Sequence, residues 1–170
     1  TQNKGVIPDI RLVDIYNEEF GERKAKNALK WDTIPTAPFK REGSVQPYLA
    51  KLNQTSEQRV ATDPQFKYLE TRKALAKKRA DEKKVVLDID QRRAELIDLE
   101  KQTLDAENQR RAATGQPPYA NWESYQASID ALVESRAKMK AHLRPPLPEE
   151  EAFITEAANV LLDYAALQGR

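Results

Sequence analysis

The sequence predicts a mainly α-helical domain of about five helices, with one or two short strands near residues 5–10 and 85–89. Three kinds of observation support this prediction: start signals such as Asp63–Pro64, stop signals such as Gly115, and apolar stripes with helical spacing between them. At 170 residues the chain is long enough for one domain with a substantial core. Charged residues make up 32% of it, so much of its surface is solvated helix.

Composition also excludes several classes of protein. The chain has no cysteine, which rules out disulfides, thiolate catalysis and cysteine-based metal sites. Its net charge of +1 provides no overall field that would attract nucleic acid or a membrane surface. No apolar run approaches the roughly 20 residues needed to span a bilayer, so we expect no membrane span.

The first 43 residues predict an extended connecting arm. Residues 5–10 combine β-favouring Val and Ile with Pro8, which lacks a backbone donor, and therefore indicate an edge strand or a strand end. Residues 11–20 are compatible with a short helix that Gly21 ends. Two prolines within four residues, in the stretch 29–43, exclude a long helix there.

Helices follow from Ser44, which we expect to cap the first of them, with Pro47 in its first turn. Asp63 is the predicted cap of the second helix, with Pro64 at its first position. The charged run 77–84 then predicts a solvated helix end. The next six residues, VVLDID at 85–90, alternate with the period of a strand that could pair with the opening segment. The alternative is one uninterrupted long helix through this stretch.

Three further helices are predicted. The first spans residues 91–114 and stops at Gly115; the second runs from Trp122 to about Leu143, where the sequence RPPLP ends it. The last starts near Pro148, with glutamates 149–151 in a first turn whose dipole favours negative charge. Its apolar face is expected to include Phe153, Ile154, Ala157, Val160, Leu161, Tyr164 and Leu167.

A search for reactive groups leads to no predicted catalytic, cofactor-binding or metal-binding residue. His142 stands alone, without a second histidine or a cysteine, and is better explained as a surface or capping residue. Ser135 and Lys138 match the short pattern S-x-x-K, but the lysine would need burial to act as a base and lies among polar residues. The adjacent glutamates 149–151 fan around a helix, and no glycine-rich phosphate loop occurs.

The densest basic stretch, residues 72–84, could contact phosphates. Asp81 and Glu82 interrupt it, and no aromatic residues interleave to stack on bases. A solvated helix face is therefore the preferred interpretation, and nucleic-acid binding is the weaker alternative.

Several segments, in this order, resemble the tail-specific proteases, the large carboxy-terminal processing peptidases of Gram-negative bacteria. TQNKGVIPDI at the start is similar to the segment that ends their protease domain, and NALKWDTI at 27–34 is similar to a segment that comes shortly after it. TDPQFKYLE at 62–70, VVLDIDQRRAE at 85–95 and FITEAANVLLDYAAL at 153–167 are similar to later segments. The stretch 119–148 is longer than the resemblance leads us to expect.

This resemblance implies two regions: residues 1–43 as the end of a protease domain with its connecting arm, and residues 44–170 as the helical C-terminal domain. It implies that the serine nucleophile, the lysine base and a PDZ-like module lie upstream, in the same chain but outside these residues. It also implies a periplasmic parent enzyme that needs no metal or cofactor and degrades or processes proteins from their C-termini.

We therefore expect a non-catalytic domain that packs on the protease core and offers a surface to an adaptor protein or to another subunit. The leading alternative is a freestanding helical adaptor, a protein-binding module unrelated to proteases.

Overall fold

The computed structural model describes residues 8–13, 26–27 and 44–169. Within them the chain is mainly helical, as predicted. The elements are a 3-10 turn Gln46–Tyr48, α1 Leu49–Thr62, α2 Pro64–Asp81, α3 Ile89–Ala113, α4 Trp122–Ala137, a 3-10 turn Ala141–Leu143 and α5 Pro148–Leu167.

The helices pack around a small apolar core. Helix α1 lies against α2 and α5, α2 also contacts α3 and α5, and α4 packs on α3. The core cluster consists of Phe66, Tyr68, Leu69, Ala106 and Ala152, with Leu12, Val13, Val60 and Phe153 packed against it. The rings of Phe66 and Phe153 meet edge to face, 5.8 Å apart, which joins α2 to α5.

Several helix ends follow the local signals in the sequence. The Asp63 carboxylate accepts hydrogen bonds from the backbone of Gln65 and Phe66, at 2.6 and 3.3 Å, so the predicted cap of α2 is confirmed. Gly115 has φ +73°, a left-handed conformation that costs glycine little and that ends α3. Pro148 opens α5, as predicted.

The predicted strand at 85–89 is wrong. Residues 82–88 form neither helix, turn nor bend, and they form no strand with any described residue. Helix α3 already begins at Ile89, and the Asp88 side chain caps it by accepting from the backbone of Gln91 at 2.8 Å. Alternation alone does not make a strand, because a strand also needs a partner along its edge. The alternative of one uninterrupted helix through this stretch is wrong as well.

The opening segment that was expected to pair with this strand lies elsewhere. Of the predicted strand at 5–10, residues 5–7 are outside the described residues, and residues 8–10 form no strand. Residues 8–13 lie along α1, where the Asn53 amide donates to the Asp9 carbonyl at 3.4 Å. The short helix predicted at 11–20 falls mostly outside the described residues.

Two further boundaries differ from expectation. No side chain caps the first helix, so Ser44 does not have the predicted role; a 3-10 turn containing Pro47 leads directly into α1. Helix α4 ends at Ala137 rather than near Leu143. The chain then folds back, because the Arg136 guanidinium donates to the Pro145 carbonyl and Arg144 donates to the Met139 carbonyl at 3.3 Å.

Among the described residues, no helix combines the length and the apolar character that crossing a bilayer requires.

Candidate interaction surface

The S-x-x-K pair does not form a nucleophile–base contact. The Ser135 hydroxyl donates to the carbonyl of Leu132 at 2.9 Å, one turn back in α4. The Lys138 amine pairs with the Glu134 carboxylate at 2.6 Å, and both of these side chains are well exposed. Each side chain is therefore bonded to another group of α4, and the hydroxyl–amine contact that a nucleophile–base pair needs is not formed.

The acidic residues that could suggest a metal site serve helix ends and ion pairs. Glu150 accepts from the backbone N–H of Leu147 at 2.7 Å and caps α5. Glu149 pairs with Arg72 at 3.4 Å, and Asp90 with Arg93 at 3.6 Å. Across residues 8–13, 26–27 and 44–169, no three metal-type ligands converge. His142 lies exposed in the 3-10 turn after α4.

A partly buried ionic network joins α1 to α5. Arg59 in α1 donates two hydrogen bonds to the Glu156 carboxylate, from Nη2 to Oε1 at 2.8 Å and from Nε to Oε2 at 3.0 Å. Its Nη1 atom reaches Asp163 at 2.7 Å, and the Thr55 hydroxyl donates to the same carboxylate at 3.1 Å. Glu156 is only 3% exposed. This network therefore fixes how α5 turns its faces toward α1.

The surroundings shift the pKa values of both carboxyls. Burial works against ionisation of Glu156, but hydrogen bonds led by those from Arg59 outweigh it and hold its pKa below the usual range. The hydrogen bond from Arg59 is the largest effect on Asp163 and also lowers its pKa. Both acids are therefore charged at neutral pH, and this part of the contact between α1 and α5 is ionic.

A second cluster, between α2 and α3, packs arginines on aromatic rings. Arg110 forms a buried bidentate pair with Glu107, at 2.6 and 2.9 Å, and its guanidinium lies 5.5 Å from the centre of the Tyr68 ring. Arg72 donates to the Tyr68 hydroxyl at 2.9 Å. Burial raises the pKa of Tyr68 and of Tyr125, so both stay neutral at physiological pH. The cluster stabilises the packing of the helices.

The basic stretch 72–84 does not build a continuous cationic track. Arg72 is used internally, as described above. Farther along, a cleft of about 260 Å³ between α2 and α3 mixes both signs of charge. Its charged lining is Lys78, Arg79, Lys84 and Arg92 together with Glu82, Glu95 and Asp98. Phosphate backbones favour a uniformly positive groove, so this arrangement does not favour nucleic acid.

Helix α5 exposes large apolar side chains on the side that faces away from the core. Its inward side packs Ala152 and Phe153 on the core and pairs Glu156 with Arg59. Ile154, Leu161 and Leu162, on the outer side, are 58%, 66% and 68% exposed. These three lie at positions i, i+7 and i+8 and therefore share one face of the helix. We call them the outer face of α5. A helix that packs one side on the core and still exposes three large apolar side chains on the other is typical of an element with a partner on its outer side.

A second exposed apolar set lies around the start of α3. It consists of Val85, Leu87, Ile89, Leu96 and Ile97, which we call the apolar tip. Leu87 is 97% exposed, so it has almost no contact with the rest of the described chain.

Sequence reasoning anticipated only part of this surface. The sequence places Ile154 and Leu161 on one wide apolar face with Phe153 and Tyr164. In the structure Phe153 and Tyr164 are partly buried, whereas Ile154 and Leu161 are exposed. The buried Glu156 was missed. The signal for it was the spacing of Glu156 and Asp163, one heptad apart, with an arginine in α1 able to pair with both.

With this geometry in view, the chain can be placed among known proteins. It belongs to the family described as the C-terminal domain of tail specific protease, which it matches over residues 15–166. The resemblance found in the sequence is therefore confirmed, and the alternative of a module unrelated to proteases is wrong.

A curated relative shows how much longer such proteins are. The chain is 37% identical over 100 residues to the Tail-specific protease of Haemophilus influenzae. The match covers 56% of this chain but only 14% of that protein. No solved structure matches the chain.

Proposed function

We propose that this chain is the non-catalytic C-terminal domain of a periplasmic tail-specific serine protease, which degrades or processes proteins from their C-termini. Its work is architectural: it packs on the protease core of the same polypeptide and shapes access to the cleft. The observation that carries the proposal is the outer face of α5, three large apolar side chains exposed on a helix whose opposite side packs on the core and is ion-paired to α1.

The free energy that burial of the outer face of α5 would gain supports a binding partner on this face. Burying a leucine or isoleucine side chain gains about 1.5–3 kcal/mol relative to leaving it in water, and the three here share one face. The ion pairs from Arg59 hold α5 in its orientation, so the helix cannot roll to hide these residues without breaking them. The face is therefore held outward, ready for contact.

The protease core is the occupant we favour, because the chain accounts for a small part of the length of its relative. In a protein of that kind the remaining polypeptide is tethered to this domain. Tethering raises its effective concentration at the surface of α5 far above that of any free partner. An adaptor or a second subunit on the same face is the competing outcome.

Catalysis, in this proposal, comes from a serine and a lysine upstream, and this domain contributes no reacting group, metal or cofactor. The geometry at Ser135 and Lys138 supports this view, because each side chain bonds to a group within α4.

Thiol labelling tests the docking face directly, because the chain has no cysteine of its own. Leu161→Cys should react rapidly with a water-soluble maleimide in the 170-residue chain and at least about tenfold more slowly in the full-length protease, as read by mass spectrometry of the α5 peptide. Ala127→Cys, exposed on α4, is the matched control and should change little. Equal, fast labelling of position 161 in both proteins would refute docking through α5.

The catalytic and cellular parts of the proposal have separate tests. Ser135→Ala in the full-length protease should leave hydrolysis of a peptide with an apolar C-terminus unchanged, and a loss of activity would contradict the non-catalytic assignment. Release of the full-length protein by osmotic shock, without release of a cytoplasmic marker, is expected for a periplasmic enzyme.

A further inference from the structure

The link between α2 and α3 has the properties of a strand without a partner. Residues 82–88 form neither helix, turn nor bend, and the backbone at Asp88 is extended, with φ −68° and ψ 124°. Residues 83–87 form no backbone–backbone hydrogen bond with any other described residue. Val85 and Leu87 point away from the body of the chain, 62% and 97% exposed, whereas Val86 between them is half-buried. Unpaired backbone groups beside exposed apolar side chains form a template for another strand.

The sequence of this link is complementary to itself in one antiparallel register. With Val86 opposite Val86 of a second copy, Val85 faces Leu87 twice and Lys84 faces Asp88 twice. Opposed residues in an antiparallel pair lie on the same side of the ribbon. All four Val85 and Leu87 side chains then share one side, and each cross-strand ion pair lies on the other.

Neighbouring registers lose this match. Shifting the pairing by one residue places Leu87 opposite Lys84 and mixes apolar with charged side chains on both faces. Centring it on Val85 brings Glu82 opposite Asp88, two like charges. In the matched register the Lys84 amine can pair with Asp88 of the second copy, because Lys84 makes no ion pair with a described residue of its own chain. Asp88 uses Oδ1 to cap α3.

We propose that residues 83–88 dimerise the chain by pairing antiparallel with the same residues of a second copy, with the two-fold axis at Val86. The two-stranded ribbon is short, and such ribbons are marginal alone. Here the apolar tip adds Ile89, Leu96 and Ile97 of each copy beside the ribbon, all of them exposed in the single chain. This interface is separate from the outer face of α5, so it does not rest on the proposed docking to the protease core.

A cysteine at the two-fold axis tests the register. In an antiparallel pair, opposed Cα atoms are about 4.5–5.5 Å apart, within the range that a disulfide bridges. The Val86→Cys chain should therefore form a disulfide-linked dimer under mild oxidation. Val85→Cys is the matched control. In this register Val85 of one copy lies opposite Leu87 of the other, so the two Val85 positions are two residues apart along the ribbon. Their Cα atoms are then farther apart than the roughly 7 Å that a disulfide can bridge. Equal cross-linking at both positions would overturn the register.

A charge exchange tests the pairing in solution. Lys84→Asp places Asp opposite Asp, and Asp88→Lys places Lys opposite Lys, so each variant alone should dimerise at least about tenfold more weakly in sedimentation. An equimolar mixture should recover a dimer, because both Lys–Asp contacts are restored in the mixed pair. Recovery also shows that both variants are folded, despite the altered cap of α3.

Three results would overturn the proposal. The native chain could remain monomeric up to about 1 mM, where even a weak complex would be detected. The mixed charge variants could fail to associate while each keeps the helical circular dichroism of the native chain. A dimer could form that neither charge variant weakens, which would place the contact elsewhere, for example on the outer face of α5.

Discussion

Removing Arg59 should destabilise the fold more than removing Glu156, the buried acid that it binds. Arg59→Met leaves the carboxylate of Glu156, 3% exposed, without the guanidinium that holds it. Breaking a buried pair from one side typically costs 3–5 kcal/mol. Arg59 and Asp163 each keep about a third of their side-chain exposure, so water relieves part of the loss. We expect about 3 kcal/mol, the lower end of that range.

The opposite deletion should be milder. Glu156→Leu leaves Arg59 still paired with Asp163 at 2.7 Å and partly in water, so about 1 kcal/mol is expected. The double variant Arg59→Met with Glu156→Leu should lie within about 1 kcal/mol of the native chain, because well-packed apolar residues can replace a buried ion pair at little cost. The two substitutions are therefore expected to be strongly non-additive.

The pH dependence of Arg59→Met follows from the same contacts. In the native chain Arg59 lowers the pKa of Glu156, so the network contributes stability above the ordinary carboxyl pKa and loses it as the pH falls through the lowered value. Without Arg59, burial remains and raises that pKa. The variant is then favoured at low pH and loses stability as the pH rises through the raised value. The gap between variant and native chain should shrink from about pH 7 to about pH 4.

Urea unfolding followed by circular dichroism measures these free energies, and the thermal midpoint should fall by about 6–12 °C for Arg59→Met. A loss below about 1 kcal/mol, or equal losses for Arg59→Met and Glu156→Leu, would refute the claim that a buried carboxylate is held by this arginine.

Three other predictions address helix ends and buried tyrosines. Asp63→Ala should cost about 1 kcal/mol in urea unfolding because α2 loses its cap, whereas Asp63→Asn should cost much less. Gly115→Ala should cost about 1–2 kcal/mol from its left-handed backbone alone, since nothing lies within contact of an added Cβ. In an ultraviolet titration, Tyr68 and Tyr125 should ionise above about pH 10, the ordinary value of a tyrosine, because burial raises their pKa; stability should therefore fall as the pH rises past about 10.

The sequence was most informative where structure depends on neighbouring residues. The side chain of Asp63 reaches the next turn, Gly115 needs only its own backbone freedom, and Pro148 fixes its own φ. Each of these helix ends was therefore predictable from a few letters.

Features that depend on distant contacts were not predictable in the same way. The alternation at 85–90 has a strand's period, yet the described residues supply no partner, and Asp88 begins a helix instead. The sequence groups most large apolar residues of α5 on one wide face, because a helical stripe does not show which part of it a partner covers. Only the position of Arg59 on α1 reveals that Glu156 and Asp163 face inward.

The arm at residues 8–13 has a practical consequence for anyone who recombines such proteins. Leu12 and Val13 pack against the same cluster as Phe66 and Phe153, so they complete the hydrophobic centre of the helical body although they precede it by some thirty positions. A chimera joined just before α1 would carry foreign side chains into that centre. The safer crossover point lies ahead of Pro8, so that the grafted domain keeps its own Leu12 and Val13 against the core.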